Sequence, residues 1–146
     1  MSNIYKPNGI ISIKSISIDE PTTYSSVLFT KEYVYVVPRM TLNDNKPIIQ
    51  NGKSGYDLLV ELLNSESDMT QLQHKAHEIA LNFNGHIIDI RQLKNLSIKN
   101  GLLSRGIYFR ENIDTFKKFN RAVSGGGKEL YTHLAEFYKD FKPMSW

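Results

Sequence analysis

Gly52, Lys53 and Ser54 form the ending of a phosphate-binding loop, and apolar residues at helical spacing follow them at once. Such a loop works because consecutive backbone N–H groups point at the phosphates, and it carries a further glycine five residues before the final Gly-Lys pair. That position holds Pro47, which has no N–H to give. The strand that should end just before the loop is missing too, since the last strand signal stops near Pro38. The stretch therefore reads as a glycine turn followed by Ser54 capping a helix, with Asp57 at capping-box spacing.

Other residues able to do chemistry are no better placed for it. The glycines after Ser124 precede a helical pattern, but they lack the Gly-x-Gly-x-x-Gly spacing and read as a joint. His74 and His77 stand three apart on one helix, and His86 follows it. Zinc needs three or four convergent ligands. The helical wheel places His74 and His77 opposite the apolar stripe, towards solvent, so no metal site is expected. No serine sits in a Gly-x-Ser-x-Gly elbow. With no cysteine, the chain has no disulfide, no thiolate ligand and no cysteine nucleophile. The expectation is a chain without catalytic residues or cofactor.

Basic residues remain. Residues 1–90 hold 7 Lys/Arg against 10 Asp/Glu, whereas residues 91–146 hold 11 against 5. Net charge thus changes from −3 to +6 between the two parts. Lys94, Lys99, Arg105, Arg110, Lys117, Lys118 and Arg121 come from one strand-forming region. If those strands are adjacent, they could form an anion-binding face with Tyr108 as a stacking surface. The aromatic pattern of an RNA-binding sheet is only faint in "GIYFR", so nucleic acid is disfavoured.

A length of 146 residues and 40% hydrophobic content fit one domain with a packed core. No stretch has a signal peptide's apolar core or the length of a membrane span, so a soluble cytoplasmic protein is expected.

The elements that position these residues start with strands. In residues 10–18, Ile11 and Ile13 occupy odd positions while Ile16 and Ile18 occupy even ones. A two-residue period cannot keep all four on one face, which predicts a bulge or bend near Lys14 and Ser15 in a strand serving two sheets. A hairpin around Lys31 and Glu32 follows, stopped by Pro38. Two helices come next. The first places Tyr56, Leu59, Leu62 and Leu63 on one side; the second, starting at Ser65 or Ser67, has the stripe Met69, Leu72, Ala76, Ile79 and Phe83 and stops at Asn84-Gly85. Strands return at residues 86–90 and 96–99, then after a two-residue Asn100-Gly101 turn at residues 105–110. Residues 115–123 suit either a helix or a strand. An amphipathic helix through Leu130, Leu134, Phe137 and Phe141 ends the chain.

The hairpin "LFTKEYVYVVP", followed by Ile88, Leu93, Leu96 and Ile98 in an I-x-x-x-x-I-x-x-I-x-I pattern, resembles the bacterial pleckstrin-homology-like or GRAM-like family. The resemblance covers about residues 8–38 and 86–142. It implies an α+β fold: seven antiparallel strands in two nearly orthogonal sheets, a strongly bent sandwich or barrel with a C-terminal helix at one end. It also makes residues 115–123 the last strand. Residues 39–85 depart from the family's short connection and read as an inserted helical pair within a single domain spanning residues 1–146. Phosphoinositide-binding members carry basic residues around the first hairpin loop; residues 19–23, "DEPTT", are acidic and speak against that activity.

The expected function is non-catalytic binding of a protein partner, as an adaptor, a regulator or a toxin-immunity protein. The candidate surfaces are the insertion, through His74, His77 and Leu81, and the basic face, through Lys94, Lys99, Arg105, Arg110, Lys117 and Arg121. The competing expectation is a peripheral membrane or anionic-ligand module using the basic face, with anionic lipid or another polyanion as ligand.

Overall fold

The computed structural model describes residues 3–17, 23–41, 44–111, 121–124 and 127–142. Within them the chain forms β1 (Ile4–Lys6), β2 (Gly9–Ser17), β3 (Thr23–Phe29) and β4 (Tyr33–Pro38). An insertion then supplies β5 (Ile49–Gln50), β6 (Lys53–Ser54), α1 (Gly55–Ser65) and α2 (Met69–Asn82). The remainder is β7 (His86–Asp89), a 3-10 turn (Ile90–Gln92), β8 (Asn95–Asn100), β9 (Arg105–Arg110), β10 (Arg121–Ser124) and α3 (Lys128–Phe137).

One antiparallel sheet runs in the order β7-β4-β3-β2-β10-β9-β8, with β1 added alongside β2. Among the described residues no pairing joins β7 to β8, so the sheet is open rather than a closed barrel. It nevertheless curls. Ile88 of β7 shares one apolar cluster with Ile107 and Phe109 of β9 and Val123 of β10, and a flat sheet could not bring those strands together. The two edge strands are also joined through residues 90–94 alone.

The fault in the β2 alternation corresponds to a change of partner. On one side β2 pairs with β3 in unbroken register from Ile10–Phe29 to Ile16–Thr23, which excludes a bulge against that strand. On the other side Ile10 and Ile11 pair with β1, whereas Ser15, Ile16 and Ser17 pair with β10. One long strand thus serves both halves of the sheet. The facing of Ile13, Ile16 and Ile18 lies outside the described residues, as do Lys117, Lys118 and the loop at residues 19–22.

Two cores result. The inner one gathers Val27, Phe29, Val34 and Val36 with Ile88, Leu93, Ile107, Phe109 and Val123, and α3 covers it with Leu130, Tyr131 and Leu134. The outer one lies on the opposite face of β2, β3 and β4, where Ile11, Leu28, Tyr35 and Val37 meet Tyr56, Leu59, Leu62 and Leu63 of α1 and Leu72, Ala76 and Ala80 of α2. Alternate residues of β3 and β4 therefore enter different cores, and both faces are apolar for that reason. Each fully buried large side chain contributes roughly 1.5–3 kcal/mol.

α3 is tied at both ends. The Asn100 amide donates to Lys128 O at 3.3 Å and to Thr132 Oγ1 at 3.1 Å. The Tyr138 hydroxyl donates to Thr30 O at 2.7 Å, and the Lys31 ammonium donates to Phe137 O.

Three local expectations differ from the structure. α2 is capped by Asp68, whose side chain accepts from Thr70 N, and not by Ser65 or Ser67. Its fully buried residues are Leu72, Gln73, Ala76 and Ala80, while Met69 and Ile79 are only half-buried. Small side chains at 76 and 80 let the helix approach β4 closely, and this rotates the buried face away from Met69 and Ile79. The third difference is the β8–β9 connection. Asn100 pairs with Arg105, so the loop is Gly101, Leu102, Leu103 and Ser104, closed by Gly101 N donating to Ser104 O at 3.0 Å.

Candidate functional site

The Gly52-Lys53-Ser54 stretch is occupied with structure. Asn51 and Gly52 have positive φ, at 52° and 75°, and form the turn between β5 and β6. The Ser54 hydroxyl accepts from Asp57 N at 3.1 Å, and the Asp57 carboxylate accepts from Ser54 N at 3.3 Å, completing the capping box. Lys53 pairs with Glu61 at 2.8 Å.

The two helical histidines separate. His74 is exposed and lies 3.2 Å from Glu78. His77 corrects the solvent-facing expectation: its ring turns onto the sheet, edge-on to Tyr33 and Tyr35 with centroids 4.7 and 5.1 Å away. Its Nδ1 lies 2.8 Å from Gln73 O and 2.9 Å from the Tyr35 hydroxyl. The cause is Tyr35, which is fully buried and whose hydroxyl needs polar company there. Burial holds that hydroxyl's pKa above the ordinary tyrosine value. Among the described residues no three His, Asp or Glu converge as metal ligands.

Leu81 is exposed at 68% and sits one residue from Asn82, whose carbonyl accepts from the Gln50 amide at 2.6 Å. This bond brings Ile49, exposed at 52%, to the same end of α2. The insertion therefore presents two large aliphatic side chains where its β-ribbon meets its second helix.

The basic residues divide between the two ends of the β8–β9 hairpin. Lys94 N donates to Arg110 O at 2.8 Å at one end, where Arg121 also stands opposite Phe109. Arg121 is half-buried and pairs with Glu111 at 2.8 Å. At the other end Lys99 pairs in register with Gly106 and Asn100 with Arg105, next to the loop. The Lys99 ammonium lies 5.2 Å from the Tyr108 ring centroid. The Asn100 bond to Lys128 O adds the start of α3 to this end.

Leu102 and Leu103 at the loop tip are exposed at 94% and 101%, more than any other large apolar residue described. Reading Asn100-Gly101 as the whole turn passes over them, because it leaves residues 102–104 unassigned before the strand at residues 105–110. Two signals in the sequence point to them: adjacent leucines cannot share one face of a strand, and residues 94–110 carry four basic residues and no acid.

A cleft of about 290 Å³ between the β3–β4 turn and the end of α3 is lined by Lys31, Ile90, Arg91, Phe137 and Phe141, among others. Two of its cations, Lys31 and Arg91, are engaged. Lys31 caps the Phe137 ring at 4.0 Å from the centroid, and Arg91 pairs with Glu32 at 2.9 Å and Asp89 at 3.2 Å.

No family model, curated protein or solved structure matches the chain. Among the described residues no helix is long and apolar enough to cross a membrane.

Proposed function

We propose that this chain is a pleckstrin-homology-like, non-catalytic binding module that docks a protein partner through its helical insertion. The strand order supports the fold assignment. Apart from β1 and the β5–β6 ribbon, seven strands form two successive meanders, β2-β3-β4-β7 and β8-β9-β10, joined through β2 and followed by one terminal helix. The number of these strands and the helix after them agree with what the sequence resemblance implies, and this supports the reading.

The observation that carries the partner reading is that Leu81, at the end of α2, and Ile49, on the ribbon that Gln50 ties to that end, are both exposed on elements packed against the outer core. Exposed aliphatic groups on rigid elements release water on docking without a large ordering cost. An adaptor, a regulator or a toxin-immunity protein would each use such a surface. Affinity capture from the source organism, run in parallel with an Ile49→Glu/Leu81→Glu variant, tests this. The expected result is a salt-tolerant partner held by the native chain and lost by the variant, with unchanged thermal unfolding. Equal capture by both overturns the assignment of this surface.

A further inference from the structure

We propose that the β8–β9 loop is a membrane-contact tip: Leu102 and Leu103 enter an anionic bilayer while Lys99 and Arg105 hold its phosphate headgroups. The two leucines stand at the end of a hairpin and have nearly their whole side-chain surface in water. Such exposure of adjacent large aliphatic groups is unfavourable unless another apolar phase receives them.

The tip is also held in place, so the leucines are presented and do not fold back. Gly101 N closes the loop onto Ser104 O, and Asn100 anchors the strand end to α3 through Lys128 O and Thr132 Oγ1. A rigid tip loses little conformational freedom on insertion.

Charge selects the occupant. At the loop end the hairpin holds Lys99 and Arg105, residues 94–110 contain no Asp or Glu, and Lys128 follows at the start of α3. The acid that comes close in sequence, Glu129, faces His133 at 3.9 Å. An apolar tip inside a basic collar matches acyl chains beneath anionic headgroups, and Tyr108, lying under Lys99, has the amphipathic ring suited to the interface. An apolar protein groove would meet the leucines equally well but would leave the collar without a counterpart. This surface is independent of the Leu81–Ile49 surface, and the two proposals can fail separately.

The chain has no cysteine, which makes the test direct. Leu103→Cys, labelled with an environment-sensitive dye, is mixed with vesicles of equimolar phosphatidylcholine and phosphatidylglycerol or of phosphatidylcholine alone. A Leu81→Cys variant carries the same dye as a control. A blue shift from the label at 103 with anionic vesicles only, weakened by salt, is expected, with none from the label at 81. Unlabelled chain should co-sediment with the same vesicles. Leu102→Asn/Leu103→Asn should reduce that partitioning roughly ten- to hundredfold, with unchanged circular dichroism because neither side chain packs on the fold. Lys99→Gln/Arg105→Gln should remove the anionic preference. The proposal is overturned if the native chain stays in the supernatant, if the asparagine variant partitions undiminished, or if soluble glycerophosphoglycerol alone shifts the dye.

Discussion

His86 begins β7, pairs with Val36, and feels the Arg121 guanidinium from β10, which comes from the other half of the sheet. Partial desolvation first, and Arg121 second, hold its imidazole below the ordinary value of 6.5, although the side chain keeps an exposed surface. The linkage has a definite sign: as pH falls through that range the unfolded chain takes up its proton before the folded one does. Stability contributed at this residue is therefore present above about 6.5 and declines as pH drops towards the folded value. We predict an imidazole NMR titration midpoint for His86 below 6.5, rising in Arg121→Gln but not fully, since burial is the larger cause. His86→Asn should flatten the same part of the stability profile. A midpoint unmoved by Arg121→Gln would show that the Arg121 charge does not act on His86.

At the scale of elements, the junction between α2 and β7 shows how much backbone proximity matters. Gly85 N donates to Ala80 O at 2.7 Å, and a Cβ on Gly85 would collide with the carbonyl oxygen of Val36. Gly85→Ala should therefore cost about 1–3 kcal/mol or more in urea unfolding. Gly127→Ala, with open space around it and an extended backbone, should be close to neutral; equal effects would contradict the close approach. Asn84-Gly85 announces this helix stop in the sequence, but not its reason, which is a contact across the fold. Elements defined by local signals are legible in the same way. β9 falls at the expected residues, the capping box at Ser54 and Asp57 forms, and Ile88, Leu93, Leu96 and Ile98 all pack on the inner core. What escapes the sequence depends on tertiary packing. The buried face of α2 is set by Ala76, Ala80 and the needs of Tyr35 rather than by its largest residues, so a helical wheel puts His77 on the wrong side. The exposed leucine pair escapes because the length of the β8–β9 loop follows from the pairing of Asn100 with Arg105, which no turn residue dictates.

For the whole molecule, the placement of the insertion decides how the chain unfolds. An insertion packed as a separate body would melt by itself and leave the sheet standing. Here β3 and β4 are walls of both cores: Val27, Phe29, Val34 and Val36 line the inner core, which α3 covers over β8 and β9, while Leu28, Tyr35 and Val37 line the outer core with α1 and α2. Losing α1 and α2 would put the fully buried Leu28, Tyr35 and Val37 into water, and losing α3 would open the inner core from the side of β8 and β9. Because the same two strands build both cores, the stabilities of the cores are coupled. We predict a single transition in which helical circular dichroism and tyrosine absorbance coincide. Leu59→Ala, in the outer core, and Leu134→Ala, in the inner one, should each lower that shared transition, by about 2–5 kcal/mol apiece. If Leu59→Ala instead split the curve, with helical signal lost first and the tyrosine transition unmoved, the insertion would be an autonomous unit resting on the sheet. Its exposed pair Leu81 and Ile49 could then not count as rigidly presented.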